Sequence, residues 1–183
     1  CTKPYEWLEL PWDHKSNTYP KLDPSSLRSR PHIVAIDCGI KFNILRLLCA
    51  IGFRVTVVPS SYLPEQIIEL NPQGIFISNG PGDPTKLTYL VTTTRALLGK
   101  FPMFGICLGH QLIALAIGGK TFKLKYGHRG GNHPVQFENN KAIEISVQNH
   151  GYAVSFDDLP ASAKVSHLNL NDRTVEGLEL PDM

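Results

Sequence analysis

Cys107 is the residue of this sequence best suited to act as a nucleophile. The apolar run Phe101–Ile106 before it predicts a buried parallel strand covered on both faces. Leucines spaced i, i+4 and i+7 after it predict a helix. Gly105 and Gly109 flank the cysteine, as a sharp strand-to-helix turn requires of its neighbours. The start of the helix would favour the thiolate, so the pattern predicts a nucleophile rather than a structural cysteine.

A second candidate is the turn Asn79–Pro84, which follows the predicted strand Gly74–Ser78. Gly80 and Gly82 surround a proline there, and residues without a Cβ atom let backbone N–H groups approach a ligand closely. Parallel strands bring their carboxyl ends to one edge of a sheet, so we expect this turn beside Cys107. Its N–H groups would form an oxyanion hole. An ordinary tight turn is the alternative interpretation.

Two later stretches are polar and contain glycine. Tyr126–Pro134 is a predicted loop with two histidines, His128 and His133, and no cysteine or carboxylate accompanies them in the sequence, which argues against a zinc site. Gln148–Tyr152 is predicted to end a strand and turn at its glycine. Asn149 in that stretch would hydrogen-bond a polar substrate, or serve the turn itself.

Hydrophobic periodicity places these motifs on a regular framework. Strand and helix alternate four times, which predicts an α/β fold with a flavodoxin-like, doubly wound, mostly parallel sheet. The predicted strands are 32–36, 54–58, 74–78 and 101–106, and the predicted helices are 40–51, 64–70, 87–98 and one after 107. A C-terminal antiparallel β extension is predicted from strands at 120–125, 142–147, 163–168 and 174–180.

Composition excludes several classes of protein. The chain has 183 residues, 42% of them hydrophobic, and a net charge of +2, which is too balanced to indicate binding of nucleic acid or an anionic membrane. No apolar run approaches the length of a membrane span. The four cysteines show no paired spacing, which indicates reduced thiols. Residues 1–31 carry five of the 14 prolines and are interpreted as a linker or the end of an upstream domain.

These motifs resemble those of class I (triad) glutamine amidotransferases. The matching stretches are Ser78–Pro84, Gly105–Gln111 and Gln148–Tyr152. A narrower resemblance, to the small glutamine-hydrolysing chains of bacterial or plastid carbamoyl-phosphate synthases, rests on Lys125–Pro134 and Asp37–Arg46. The resemblance implies that residues 31–183 form the amidotransferase domain. It also implies that residues 1–30 are the end of an N-terminal domain and its linker.

The resemblance also implies a reaction. Cys107 would attack the side-chain amide of L-glutamine and form a glutamyl thioester. Ammonia would pass to a synthetase large chain that makes carbamoyl phosphate for arginine and pyrimidine biosynthesis, in a heterodimer or a higher assembly. ATP and Mg²⁺ would bind that partner, with no cofactor or metal in this chain, in the cytoplasm or the plastid stroma. By motif position, the residues that would contact glutamine are Gly80, Gly82, Leu108, Gln111, Asn149, Gly151 and Tyr152.

One departure from the family concerns the general base. The family's histidine and its orienting carboxylate belong to a His-Pro-Glu motif, and no His-x-Glu occurs in this sequence. His150 and His167 each lack a carboxylate two residues later, so we expect no histidine–carboxylate pair able to serve as base. We therefore expect a domain truncated before that motif, and poor glutamine hydrolysis by this chain alone.

Three other interpretations stay open at this point. The first is another member of the same superfamily, the glutaminase of anthranilate or GMP synthesis, but the stretch His128–Pro134 argues against it. A non-catalytic amidotransferase-like module is favoured for this chain by the missing base, whereas Cys107 argues against it for the parent protein. A cysteine hydrolase or redox sensor on a flavodoxin-like sheet is disfavoured by the Asn79–Pro84 turn and by Gln111.

Overall fold

The computed structural model describes residues 1–181, which form nine strands and four α-helices. The elements are β1 (Tyr5–Trp7), β2 (His32–Asp37), α1 (Phe42–Ala50), β3 (Arg54–Pro59), α2 (Pro64–Glu69), β4 (Gly74–Ile77), α3 (Thr88–Leu97), β5 (Met103–Gly105), α4 (Leu108–Ala116), β6 (Thr121–Phe137), β7 (Ile143–Val154), β8 (Lys164–Asn169) and β9 (Val175–Glu179). Short 3₁₀ helices cover Pro24–Ser29 and Pro84–Lys86. Among the described helices, none is long and apolar enough to cross a membrane.

The chain divides into two compact units. Unit 1 comprises residues 1–81 and 96–109, and unit 2 comprises residues 82–95 and those from 110 onward. Unit 1 is built on a five-stranded sheet in the order β1-β3-β2-β4-β5. Strands β2 to β5 are parallel, and the interior strands are rich in Val and Ile and almost fully buried, as expected when helices cover both faces. The predicted α/β fold with a mostly parallel sheet is confirmed.

The last strand of this sheet differs from the prediction. β5 covers only Met103–Gly105 and forms the edge of the sheet, where it pairs with β4 alone. Phe104 is 63% exposed, with its ring 6.1 Å from that of Phe76. The expectation of a strand covered on both faces is therefore wrong, because the face that carries Phe104 is open to solvent. The apolar pattern alone does not distinguish an edge strand from a central one.

The N-terminal segment, interpreted above as a linker, contributes to the sheet. β1 pairs antiparallel with β3 and so covers the opposite edge. Trp7 is 8% exposed, with its ring 5.0 Å from that of Phe42. A salt bridge of 2.6 Å joins Glu6 of β1 to Arg54 of β3. The linker interpretation of residues 1–30 is thus corrected for Tyr5–Trp7, whose three residues are too few for a periodicity to reveal them.

Unit 2 contains the predicted antiparallel extension, with longer strands than expected. Its four strands close in the order β6-β7-β9-β8 around a small core of Ala114, Val154, Leu168 and Val175. Neither the predicted loop at 126–134 nor the predicted turn at 151 interrupts a strand, because β6 and β7 run through them. The pairing of β6 with β7 shifts register twice, near Gly127 and Gly130, whose positive φ angles of 74° and 129° accommodate the irregularity.

We predict that Trp7→Ala lowers the free energy of unfolding by about 3 kcal/mol, since it empties a buried site between β1 and α1. Trp12→Ala is the matched control. Trp12 is 40% exposed and makes an edge contact with Tyr19, so its loss should cost about 1 kcal/mol. Denaturant unfolding of both variants measures the difference. Equal and small losses would mean that β1 does not stabilise the sheet.

Candidate active site

The predicted site residues fall into both units. Unit 1 holds Gly80, Cys107 and Leu108, and unit 2 holds Gly82, Gln111, Asn149, Gly151 and Tyr152. The two groups are positioned by different elements. In unit 1 they lie at the ends of β4 and β5 and at the start of α4, and in unit 2 they lie on α4, on β7 and in the turn before Pro84–Lys86.

Cys107 occupies the corner between β5 and α4 with a strained backbone. Its φ angle of 53° lies in the left-handed region, which residues with a Cβ atom seldom adopt. Hydrogen bonds from the N–H of Ile106 to the carbonyl of Ile77 (3.1 Å) and from the N–H of Gly109 to the carbonyl of Ile106 (3.0 Å) hold the corner. A strained residue between a strand and a helix is the arrangement of nucleophile elbows.

The flanking glycine after Cys107 is required by a close approach of two backbones. A Cβ atom on Gly109 would overlap the carbonyl oxygen of Ile77 in β4. A carbonyl in a parallel strand cannot rotate away, because it belongs to the ladder of hydrogen bonds. The absence of a side chain at Gly109 therefore lets α4 begin directly against β4, which fixes where the corner projects.

Gly80 makes a similar approach on the other side of the corner. A Cβ atom there would overlap the carbonyl oxygen of Cys38 and would lie 2.7 Å from Cδ2 of Leu108. Leu108 is 1% exposed. The Asn79–Pro81 part of the turn thus packs against the first residue of α4, which immediately follows Cys107, and this is the neighbourhood expected from the sheet topology.

Two side chains that hold this turn had no predicted role. Asn79 accepts a hydrogen bond from the N–H of Lys41 (3.2 Å) and donates one to the carbonyl of Gly39 (3.0 Å). The hydroxyl of Ser78 accepts from the N–H of Cys38 (2.9 Å) and donates to the carbonyl of Asn79 (2.8 Å). These bonds tie the turn after β4 to the turn after β2. The sequence feature that could have indicated these hydrogen bonds is the Ser-Asn pair at the end of a predicted strand.

Two other thiols of unit 1, those of Cys38 and Cys49, are poorly suited to nucleophilic chemistry. Burial raises the pKa of Cys38 to about 11, and burial likewise raises the pKa of Cys49 to about 11. At neutral pH both remain thiols, which are weak nucleophiles. None of the four cysteines in the described part of the chain forms a disulfide.

In unit 2, Gln111 connects α4 to β7. It is 5% exposed, and its Nε2 donates to the backbone carbonyl of Tyr152 (2.7 Å). The same carbonyl lies 2.8 Å from Nδ1 of His150, which donates to it. The hydroxyl of Tyr152 donates a hydrogen bond to the carboxylate of Asp83. Partial burial and the negative charge of Asp83 raise the pKa of Tyr152. The backbone at Tyr152 is therefore fixed from two sides.

The remaining predicted contacts are Asn149, Gly151 and Gly82. Asn149 is exposed on β7, opposite Arg129 of β6. A Cβ atom on Gly151 or on Gly82 would meet no atom within 4 Å, and Gly82 has a φ angle of 100°. Glycine is thus required at Gly82 by its backbone conformation, whereas the structure shows no steric need for it at Gly151.

Unit 2 contains histidine–carboxylate pairs that no spacing in the sequence indicated, whereas the expectation that none serves as a general base stays a prediction. Glu176 of β9 lies 3.0 Å from Nδ1 of His128 and 3.4 Å from Nε2 of His150. Burial alone would lower the pKa of His150, but the hydrogen bond and charge of Glu176 outweigh it and raise that pKa. Sequence spacing missed the pairs because Glu176 lies 48 residues after His128.

Comparison with known proteins decides the family. A family model described as "Glutamine amidotransferase class-I" matches residues 34–182. The chain belongs to the class-I glutamine amidotransferase family. This confirms the family identified from the motifs around Cys107. The matched residues include the elbow, the Gly-Pro-Gly turn and the Gln148–Tyr152 segment.

Two named relatives show that the chain is similar to one kind of protein, the carbamoyl phosphate synthase small chain. The chain is 52% identical over 179 residues to a carbamoyl phosphate synthase small chain from Syntrophotalea carbinolica, covering 98% of this chain and 46% of that protein. It is 48% identical over 186 residues to the chloroplastic small chain of Arabidopsis thaliana, covering 100% of this chain and 42% of that one. The chain therefore spans about half the length of the curated relatives it matches.

Solved structures support the fold. A candidate GMP synthase subunit from Thermoplasma acidophilum superposes with a TM-score of 0.70 at 19% identity, covering 83% of this amidotransferase chain and 79% of that one. A glutamine amidotransferase from Thermotoga maritima gives 0.64 at 18% identity, covering 84% and 73%. At these identities the likeness concerns the fold.

We predict that a glutamine-like electrophile labels Cys107 before Cys38 or Cys49. The pKa of each of the latter two is raised to about 11 by burial, so their thiolate fraction at neutral pH is small. The exposed Cys1 is replaced by Ser in the protein used, to remove its background. Peptide mapping by mass spectrometry after short exposures gives the order. Earlier labelling of Cys38 or Cys49 would contradict the assignment of the nucleophile.

Proposed function

We propose that this chain carries the glutaminase site of a carbamoyl-phosphate synthase small chain and hydrolyses L-glutamine through a thioester on Cys107. The observation that carries the proposal is the left-handed backbone of Cys107 at the β5–α4 corner, next to the close approach of Gly109 to Ile77. Identities of 52% and 48% to named small chains over nearly the whole chain support the choice of enzyme.

The proposed reaction has two steps. Sγ of Cys107 attacks the side-chain carbonyl carbon of glutamine, the C–N bond breaks, and the leaving nitrogen takes a proton and departs as ammonia. Water then attacks the thioester carbon, the C–S bond breaks, and glutamate is released with the thiol restored. The intermediate's negative oxygen needs N–H donors. As the first residue of α4, Leu108 has an N–H without an intrahelical acceptor, and the Gly80–Gly82 turn offers further N–H groups.

We assign recognition of the glutamine substrate to Gly82, Gln111, Asn149, Gly151 and Tyr152. The exposed amide of Asn149 is suited to hydrogen-bond the polar groups of an amino acid. The buried amide of Gln111 acts differently, since its Nε2 is used to hold the carbonyl of Tyr152. We therefore assign Gln111 a positioning role for β7 as well as the contact that the family resemblance implies.

We further propose that the ammonia is consumed by a synthetase large chain, which binds ATP and Mg²⁺. Support comes from the relatives, whose printed names call them small chains of carbamoyl phosphate synthase. The assignment implies that glutamine hydrolysis serves a second active site, where ammonia is the nucleophile. A chain that only hydrolysed glutamine would waste that ammonia.

We predict that Cys107→Ser lowers glutamine-dependent carbamoyl phosphate synthesis by roughly 10³-fold or more, because the thioester cannot form. The test uses a full-length small chain that carries this sequence, assembled with a large chain. Synthesis from added ammonium salt is the internal control and should be unchanged, since it bypasses Cys107. Retention of the glutamine-dependent rate would overturn the proposal. Loss of both rates would show that Cys107 acts in assembly instead.

A further inference from the structure

Three side chains from three strands of unit 2 converge in its closed sheet. They are His128 of β6, His150 of β7 and Glu176 of β9, and one possible ligand atom from each lies within 4.8 Å of the others. Nδ1 of His128 is 3.0 Å from one oxygen of Glu176, and Nε2 of His150 is 3.4 Å from the other. In a tetrahedral zinc site with bonds near 2.05 Å, ligand atoms are about 3.3 Å apart. The two separations from Glu176, one to each of its oxygens, lie near that value.

These side chains are buried, unlike ordinary surface clusters of acidic and basic residues. The side chains of His128 and Glu176 are each 9% exposed, and that of His150 is 10% exposed. Histidines and carboxylates are buried in proteins where they pair with one another or bind a metal, because an unpaired buried charge is costly. The site is therefore dry enough for a metal bond to compete well with water.

The second nitrogen of each histidine is already oriented by an acceptor. Nε2 of His128 lies 2.7 Å from Oδ2 of Asp172, and Nδ1 of His150 lies 2.8 Å from the backbone carbonyl of Tyr152. Histidines that bind metals show this pattern, in which the other ring N–H donates to a carboxylate or a carbonyl and so fixes the ring. The other nitrogen of His128 faces Glu176. The other nitrogen of His150 faces both Glu176 and Oε1 of Gln148, which lies 2.9 Å away and which a bound ion would displace.

The carboxylate is oriented too. Nδ2 of Asn169, a fully buried residue, donates to Oε1 of Glu176 at 3.0 Å. The other oxygen, Oε2, faces His150. One oxygen of Glu176 is thus held by an amide, which leaves the carboxylate a defined direction in which to offer a lone pair.

Two neighbouring histidines supply an independent observation. Nε2 of His110 and Nδ1 of His133 are buried and have no hydrogen-bond partner among the described residues. The ring of His133 lies 5.0 Å from that of His128, and His110 is within electrostatic range of Glu176 and His150. A buried ring nitrogen without a partner needs an explanation, and a fourth donor to a metal is one.

We propose that His128, His150 and Glu176 bind a zinc ion that links β6, β7 and β9. Two imidazoles and one carboxylate suit Zn²⁺, whereas Ca²⁺ and Mg²⁺ prefer oxygen ligands alone. The ion has a structural role, since it would fasten three strands of one closed sheet. It requires no part in glutamine hydrolysis, so the site stands or falls separately from the proposed function.

The sequence had argued against zinc because no carboxylate accompanies His128 and His133. In the structure, the second histidine of the candidate site is His150 rather than His133. His128 faces His150 across the β6–β7 ladder, where the two residues are direct partners, and Glu176 arrives from a strand much later in the chain. Such a long-range set has no local spacing signature.

The first test measures zinc affinity by competition with a chromophoric chelator, using the untagged protein. We expect one zinc ion per chain and a rise in the melting temperature on adding zinc. Glu176→Gln should abolish binding. Asp172→Asn, at a carboxylate with 40% of its side chain exposed, should fold and bind zinc roughly 10–100-fold more weakly. Asp157→Asn, an exposed acid of the same unit, is the matched control and should bind like the original.

The second test needs no change at the cluster. Co²⁺ added to the Cys107→Ser protein should give the visible d–d absorption of a tetrahedral site and be displaced by one equivalent of Zn²⁺. The same measurement on the protein with Cys107 intact is the comparison. If that protein shows thiolate-to-cobalt charge transfer, and Cys107→Ser loses both this absorption and cobalt binding, the metal binds Cys107 and the proposal is overturned. Absence of binding in both experiments would also overturn it, and the cluster would then be a hydrogen-bonded network only.

Discussion

The contact between Gly109 and the carbonyl of Ile77 is the constraint on which the candidate active site depends. Because no Cβ atom separates them, α4 starts against β4 and the chain must reverse direction within one residue. That residue is Cys107, whose φ angle of 53° absorbs the reversal. The strained backbone of Cys107 and the close packing of Gly109 are thus two consequences of one backbone approach.

A close backbone approach and side-chain hydrogen bonds together fix the turn beside this corner. Gly80 lies against the carbonyl of Cys38, and Asn79 bonds both Lys41 and Gly39. Donors fixed in this way need not reorganise when charge develops on a substrate oxygen, which is the physical source of oxyanion stabilisation. The same turn should tolerate substitution poorly, because Gly80 has no room for a side chain and the side-chain amide of Asn79 makes both hydrogen bonds.

Features encoded locally could be predicted from the sequence, and those made by distant residues could not. The period of apolar residues located β2, β3 and β4, and the glycines around Cys107 indicated the elbow. An apolar run does not reveal its neighbours, so the exposure of Phe104 at the sheet edge was missed. Tyr5–Trp7 was too short to show a pattern. The convergence of His128 and His150 on Glu176 depends on the closing of β6, β7 and β9, which no spacing encodes.

The central claim is that Cys107 forms a covalent bond with glutamine. The most direct measurement is acid quenching of the full-length protein during turnover with glutamine labelled in its carbon chain, followed by peptide mapping. The account predicts label on the peptide that contains Cys107, released by mild base or hydroxylamine as expected of a thioester. Turnover of glutamine with no label on that peptide, or with label on another residue, would contradict it.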